Sequence, residues 1–121
     1  MAKHNILGFN GEQIAAEHMK DQGFTILHRN WRSGHKELDL VTSKDNLLVV
    51  IEVKTRYNDI YGLPQDAVDD RKIRKIISAT DSYIRLFSID MQVRFDIITI
   101  ILGEKSFKIE HIEDAFFPPI W

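Results

Sequence analysis

The chain reads as a mixed α/β sandwich, a central sheet flanked by helices, and three observations say so. Segments with helical or strand periodicity follow one another as helix, three strands, helix, two strands. The runs Leu47-Leu48-Val49-Val50-Ile51 and Ile97-Ile98-Thr99-Ile100-Ile101 are almost continuously apolar, as strands covered on both faces are. At 121 residues, 44% hydrophobic and 28% charged, the chain suits one domain spanning 1–121 with one core.

The first helix is expected from near Leu7 to Gln22, with Gly23 placed to end it in a left-handed conformation. Its polar residues Gln13, Glu17, Lys20 and Asp21 gather on one arc, and Leu7, Ile14, Ala15 and Met19 on the other. Glu12 lies outside the polar arc, beside Ala16 and Met19. It reads either as a carboxylate directed along the packed side, toward the strand acids described below, or as a flanking glutamate that snorkels to water. Phe24 to Trp31 reads as the first strand, broken by Asn30-Trp31-Arg32-Ser33-Gly34.

A hairpin follows from Glu37 to Lys54, turning through Ser43-Lys44-Asp45-Asn46. If Asp45 and Asn46 are the two central turn residues, the antiparallel register sets Asp39 directly opposite Glu52. Side chains alternate along a strand, so Glu52 and Lys54 project from one face, and a register slipped by two residues still leaves Asp39 on that face. Thr55 to Pro64 is read as a loop at the mouth of this cluster. The second helix is marked by Ile73, Ile76, Ile77, Thr80, Ile84 and Phe87 at three- and four-residue intervals, and Asp66, Asp69 and Asp70 suit its positive end. Arg94 to Leu102 is the next strand, and Gly103-Glu104-Lys105 turns into a last one at Ser106 to Glu110. Asp96 reads as a cap or a partner of Arg94. The apolar tail 116–121, stiffened by Pro118 and Pro119, either packs back or buries itself in a partner, a homodimer contact among them.

Carboxylates in an apolar hairpin need cations or donors. Two like charges opposite one another on a sheet cost up to about 1 kcal/mol at ordinary exposure and more as water is excluded. Lys54 is one candidate to lie between Asp39 and Glu52. A hard divalent cation is the other, because Mg2+ favours one or two carboxylates completed by waters and phosphate oxygens. Such a metal polarises a phosphate and activates water, while the lysine orients that water or offsets developing charge. The competing reading of Glu-x-Lys is a solvated ion pair worth little.

Other chemistries are excluded or unsupported. No cysteine is present, which rules out disulfides, thiolate nucleophiles and thiolate metal sites. His4, His18, His28, His35 and His111 show no metal-ligand spacing and read as surface or packing residues. No apolar run approaches the ~20 residues of a membrane span, so cytoplasmic residence without a membrane partner is expected. The formal charge of −2 does not favour a nucleic-acid partner globally, so such binding has to be local. Arg56 in the loop and the basic turn Arg71, Lys72, Arg74 and Lys75 are the candidates for phosphate contacts. That turn lies opposite the apolar stripe and reads first as an ordinary solvated face, with contact to a phosphate backbone as the alternative.

Glu12, Asp39 and the triplet Glu52-Val53-Lys54 resemble the signature of the restriction-endonuclease-like PD-(D/E)xK superfamily, with Leu38 in place of its proline. Within it the chain is similar to the YraN family, related in layout to archaeal Holliday junction resolvases. The resemblance rests on Gly8, Gly11-Glu12, Ala15, Arg29-Asn30-Trp31-Arg32, Glu37-Leu38-Asp39-Leu40-Val41 and Ile51-Glu52-Val53-Lys54-Thr55-Arg56. It continues through Tyr61-Gly62-Leu63-Pro64, Ala67, Lys72, Ala79, Tyr83 and Arg94-Phe95-Asp96, covering about residues 6 to 115. It implies a three-layer sandwich in which Asp39 and Glu52 hold Mg2+, Mn2+ being able to substitute. Lys54 is then the catalytic lysine and Glu12 a supporting or additional acidic ligand. The function expected is a Mg-dependent endonuclease that hydrolyses DNA phosphodiesters, in branched or structured DNA among other substrates. A non-catalytic nucleic-acid-binding module of the same fold and a protein-interaction subunit are the alternatives.

Overall fold

Why the hairpin forms where it does is visible at its turn. Asp45 adopts a left-handed conformation (φ 56°), which aspartate tolerates better than most residues, and it closes a two-residue connection with Asn46. In this computed structural model, which describes residues 10–57 and 68–116, the strands on either side run Lys36–Lys44 (β2) and Leu47–Tyr57 (β3). They pair antiparallel from Lys44↔Leu47 to Leu40↔Ile51, the register that the Asp45-Asn46 turn requires.

Around that hairpin lie β1 (Thr25–Ser33), β4 (Gln92–Leu102) and β5 (Phe107–Ile112), in one open five-stranded sheet of order β1-β2-β3-β4-β5. All neighbours are antiparallel except β3 and β4, which run parallel. A parallel pair needs a crossover, and helix α2 (Asp70–Phe87) lies within it. The other described helix, α1 (Gly11–Asp21), precedes the sheet. Alternate residues of β3 feed two separate cores. Leu48 and Val50 pack with Ile76, Ala79 and Tyr83 of α2, while Val49 and Ile51 pack with Ala15, Ala16 and Met19 of α1. One helix therefore covers each face, which explains why β4 is buried without interruption from Phe95 to Leu102. No helix among the described residues is long and apolar enough to cross a membrane.

Several boundaries differ from the sequence expectation. Helix α1 begins at Gly11 because Asn10, in extended conformation, accepts the Gln13 N–H at 3.0 Å and caps it; residues 1–9 lie outside the described part. The helix ends as expected at Gly23 (φ 92°). Strand β3 continues through Thr55 and Arg56 to Tyr57, read above as loop, because its parallel partner carries on to Leu102 and supplies the hydrogen bonds. Residues 58–67, including Pro64 and Asp66, are outside the described part, and Asp69 caps α2 by accepting the Lys72 N–H at 2.9 Å. Of the apolar tail, Phe116 stacks on Phe95 with ring centroids 5.1 Å apart, and residues 117–121 lie outside the described part.

The layer spacing at α1 depends on one missing side chain. A Cβ on Gly11 would fall inside van der Waals contact with Thr55 Oγ1, and Ile100 closes the same gap. Gly11→Ala is therefore expected to destabilise by about 1–3 kcal/mol, against the gain usual for that change in a helix, and a urea midpoint checks it.

Candidate functional site

On the α2 face of β3, immediately beyond Leu48 and Val50, stand Glu52 and Lys54. Glu52 is buried, at 7% exposure. Its Oε2 receives two ammonium groups, Lys54 Nζ at 3.4 Å from two residues along the strand and Lys72 Nζ at 3.3 Å from the first turn of α2. A buried carboxylate without such partners would be costly, so the pairing accounts for a charge at this depth.

Asp39 joins this group through an irregularity. The regular β2–β3 rungs end at Leu40↔Ile51, and at the next position Asp39 Oδ2 accepts the main-chain N–H of Val53 at 2.9 Å. On the other side of β2 the pairing with β1 passes from Arg29↔Leu40 to Trp31↔Leu38, and Asn30 between them is left-handed (φ 52°). Leu38 and Val41 both pack under α2, three residues apart where strict alternation would separate them, so the strand is distorted where Asp39 sits. Burial, and after it the negative charge of Glu52, raise the Asp39 carboxyl to about 7; the Val53 N–H opposes them, while a hydrogen bond to Glu52 and the field of Glu12 add to the rise.

Of the residues singled out in the sequence, Asp39, Glu52, Lys54 and Lys72 thus meet in one place. A cavity of about 430 Å³ opens over three of them, Asp39, Glu52 and Lys72, and is lined also by Lys75, Ile76, His35, Lys36, Glu37 and Ser78, while Lys54 lies outside its lining. Glu12 acts from α1 on the other side of the sheet. Its Oε1 accepts Asn30 Nδ2 at 2.8 Å, and it reaches Asp39 through its charge. Among the described residues no three His, Asp or Glu side chains gather closely enough to cage a metal, so Asp39 and Glu52 form a two-carboxylate site. Arg71 and Arg74 are exposed and do not line the cavity, and Arg56 lies further along β3 with Glu110 of β5 at 3.9 Å.

Within the basic turn Arg71 and Arg74 are exposed away from the cavity, while Lys72 and Lys75 line it. The signal for Lys72 was in the spacing: Lys72, Ile76, Ala79 and Tyr83 fall at intervals of four, three and four, and the last three are buried. That places Lys72 at the end of the packed stripe. Its ammonium is held above the usual lysine range, although burial alone would lower it, because the charge and hydrogen bond of Glu52, then Asp39 and Glu37, prevail. Lys36, also at the cavity, went unnoticed in the sequence; its Nζ donates to Ser82 Oγ of α2 at 2.8 Å.

Two hard oxygen donors in a cavity lined by lysines fit a divalent cation. Mg2+ takes one or two carboxylates and completes its shell with water and phosphate oxygens. Burial first, and then the neighbouring Glu52 charge, disfavour the ionised Asp39 carboxyl, and a cation beside it would favour that form.

The profile of the Uncharacterised protein family UPF0102 matches residues 11–100. Full-length relatives include a "UPF0102 protein" of Phocaeicola vulgatus, 59% identical over 122 residues that span all of both chains. One of Bacteroides thetaiotaomicron is 50% identical over 121 residues, again all of both chains. A more distant one from Flavobacterium psychrophilum is 43% identical over 117 residues, 97% of this chain and 98% of its own.

Proposed function

The chain belongs to the UPF0102 family, which is the YraN family of the resemblance above, and for this member we propose a metal-dependent nuclease of restriction-endonuclease-like fold that hydrolyses DNA phosphodiesters. The observation that carries the proposal is the convergence of Asp39 and Glu52 on one face, with the Lys54 ammonium on Glu52. A mixed sheet with a helix on each face is in keeping with the sandwich that the resemblance implies.

Asp39 and Glu52 are the residues that would hold Mg2+, or Mn2+ in its place. A cation bound there supplies Lewis acidity to the scissile phosphate and to a water. The remaining work falls to the chain itself. The Val53 N–H fixes Asp39 through Oδ2. Lys54, rooted in a central strand, places a positive charge beside Glu52 that orients an attacking water or offsets charge on the phosphate as it develops. Lys36 and Lys75 at the cavity offer phosphate contacts without sequence preference, which answers how a chain of net charge −2 grips nucleic acid locally. Ile76 gives the cavity one apolar wall.

Labelled duplex, single-stranded and branched DNA, with RNA alongside, incubated with Mn2+ or Mg2+, test this directly. Metal-dependent cleavage that disappears in Glu52→Gln and in Lys54→Ala is the expected result. Salt-sensitive binding that survives in those variants without any cleavage would instead make the protein a non-catalytic module. Absence of both binding and cleavage overturns the proposal.

A further inference from the structure

Lys72 has no counterpart in the minimal set of two carboxylates and one lysine. Its backbone is nonetheless well anchored. Its own N–H is capped by Asp69 Oδ1 at 2.9 Å, the next N–H, of Ile73, bonds Asp69 O at 2.9 Å, and the stripe that continues from it is buried at Ile76, Ala79 and Tyr83. The backbone of Lys72 is thereby fixed. Its side chain is 39% exposed and lines the cavity, while Lys54, two residues from Glu52 on the same strand, does not.

Both ammonium groups address the same oxygen, Oε2 of Glu52. Each contact is an ion pair, at 3.4 and 3.3 Å, and together they set two positive charges against this one oxygen. A cation approaching it is repelled by both ammonium groups, and the movement of one of them away relieves that repulsion. The one that can leave is Lys72, because it comes from a separate element and has solvent and cavity to move into.

We infer that Lys72 is a positioning residue of the carboxylate site that holds Glu52 while no divalent cation is present, gives up that oxygen to the cation, and then turns to a phosphate oxygen of the bound nucleic acid. The inference rests on the nuclease reading, since it needs a cation at Asp39 and Glu52. It assigns Lys72 two successive partners, so that the charge at the site stays balanced with and without metal. It also makes metal affinity lower than the carboxylates alone would give, and couples metal binding to nucleic-acid binding through one side chain.

Calorimetric titration of Mn2+ into the wild type, Glu52→Gln, Lys72→Ala, Lys72→Gln and Lys72→Arg, without nucleic acid, separates the two levels. One Mn2+ should bind the wild type in a manner lost in Glu52→Gln. Lys72→Ala and Lys72→Gln should bind it about tenfold more tightly, the effect of removing one competing charge beside the carboxylate, and Lys72→Arg should return toward the wild-type affinity. A residue that served structure alone would leave the affinity unchanged or weaken it, and that result overturns the inference while leaving the nuclease reading in place. If neither the wild type nor Lys72→Ala binds Mn2+ through Glu52, both fall.

The second half is read with Ca2+ as a saturating cation and a labelled DNA duplex. Lys72→Ala should lower the salt dependence of binding by about one phosphate contact when Ca2+ is present, and leave it unchanged when chelator replaces the cation. An equal salt slope in the two proteins with Ca2+ would overturn the phosphate contact.

Discussion

Asp96→Ala is expected to cost about 3–5 kcal/mol, a large share of the roughly 5–15 kcal/mol by which a small domain is stable. Asp96 is fully buried on the α1 face of β4, and both of its oxygens are occupied. Arg94 reaches it twice, Nε to Oδ1 and Nη2 to Oδ2, each at 2.9 Å; His111 Nε2 stands 2.7 Å from Oδ2, and the Asp114 N–H donates to Oδ1 at 3.0 Å. His111 Nδ1 in turn lies 3.0 Å from Nε2 of His18 on α1. One carboxylate therefore ties β4, β5, the turn after β5 and helix α1 together. Its removal leaves Arg94 and His111 partly buried without their acceptor, and the loss of one partner from such a group is worse than its replacement by an apolar set. Burial alone would raise the Asp96 carboxyl, but the hydrogen bonds from His111, Arg94 and the Asp114 N–H carry it below the usual carboxylate value of 3.8. A depressed pKa contributes stability that is present above the unfolded value and lost as pH falls through the folded one. Urea midpoints should accordingly drop steeply below about pH 4 in the wild type, and this limb should be missing in Asp96→Asn, which keeps an acceptor for Asp114 but not the ion pair. A loss under 1 kcal/mol for Asp96→Ala would contradict this account.

What the sequence disclosed and what it hid follow from how far apart the partners are. The Asp39, Glu52 and Lys54 cluster was legible because a short polar turn and period-two alternation define a hairpin locally, so register follows from counting. Arg94 beside Asp96 was legible for the same reason, two residues apart on one strand. His111 and His18 were read as packing or surface residues, and the purpose of their packing was hidden because it depends on β5 lying next to β4 and α1 lying over both. The length of β3 was misjudged because Thr55, Arg56 and Tyr57 look like loop residues until the parallel β4 is placed beside them. Lys72 lay between the two cases. Its spacing to Ile76 and Tyr83 was readable, but three other basic residues in the same turn suggested a solvated face. Glu12 shows the remaining limit, since helix periodicity set it apart from the polar arc but could not give its partner, Asn30 of β1.

The opposite sign is expected at Asp39. Its carboxyl, raised to about 7 from 3.8, prefers to be protonated in the folded protein, so between those values the native state holds more protons than the unfolded chain. Stability from this group is complete below about pH 4 and is lost as pH rises through 7, by up to about 4 kcal/mol if the whole shift is expressed. In the presence of chelator the protein should therefore unfold at lower urea at pH 8 than at pH 5. His18, whose ring is pushed below its ordinary value by burial and by His111, slopes the other way over part of this range, so the comparison has to be made against Asp39→Asn. That variant keeps an oxygen for the Val53 N–H and gains an amide donor for Glu52 without adding charge. It should gain stability at pH 8, lose most of the pH dependence, and bind no Mn2+ at the pair. Saturating Mg2+ should restore the wild type at pH 8 by roughly 3 kcal/mol at a hundred times its dissociation constant, and do much less at pH 5, where protons compete for the same oxygens. A destabilisation that an ion reverses and an amide abolishes is what two facing carboxylates kept for ligand binding should produce. If Asp39→Asn instead lowered the midpoint at pH 8, the pair would be a structural hydrogen bond and its acidity would have no ligand to serve.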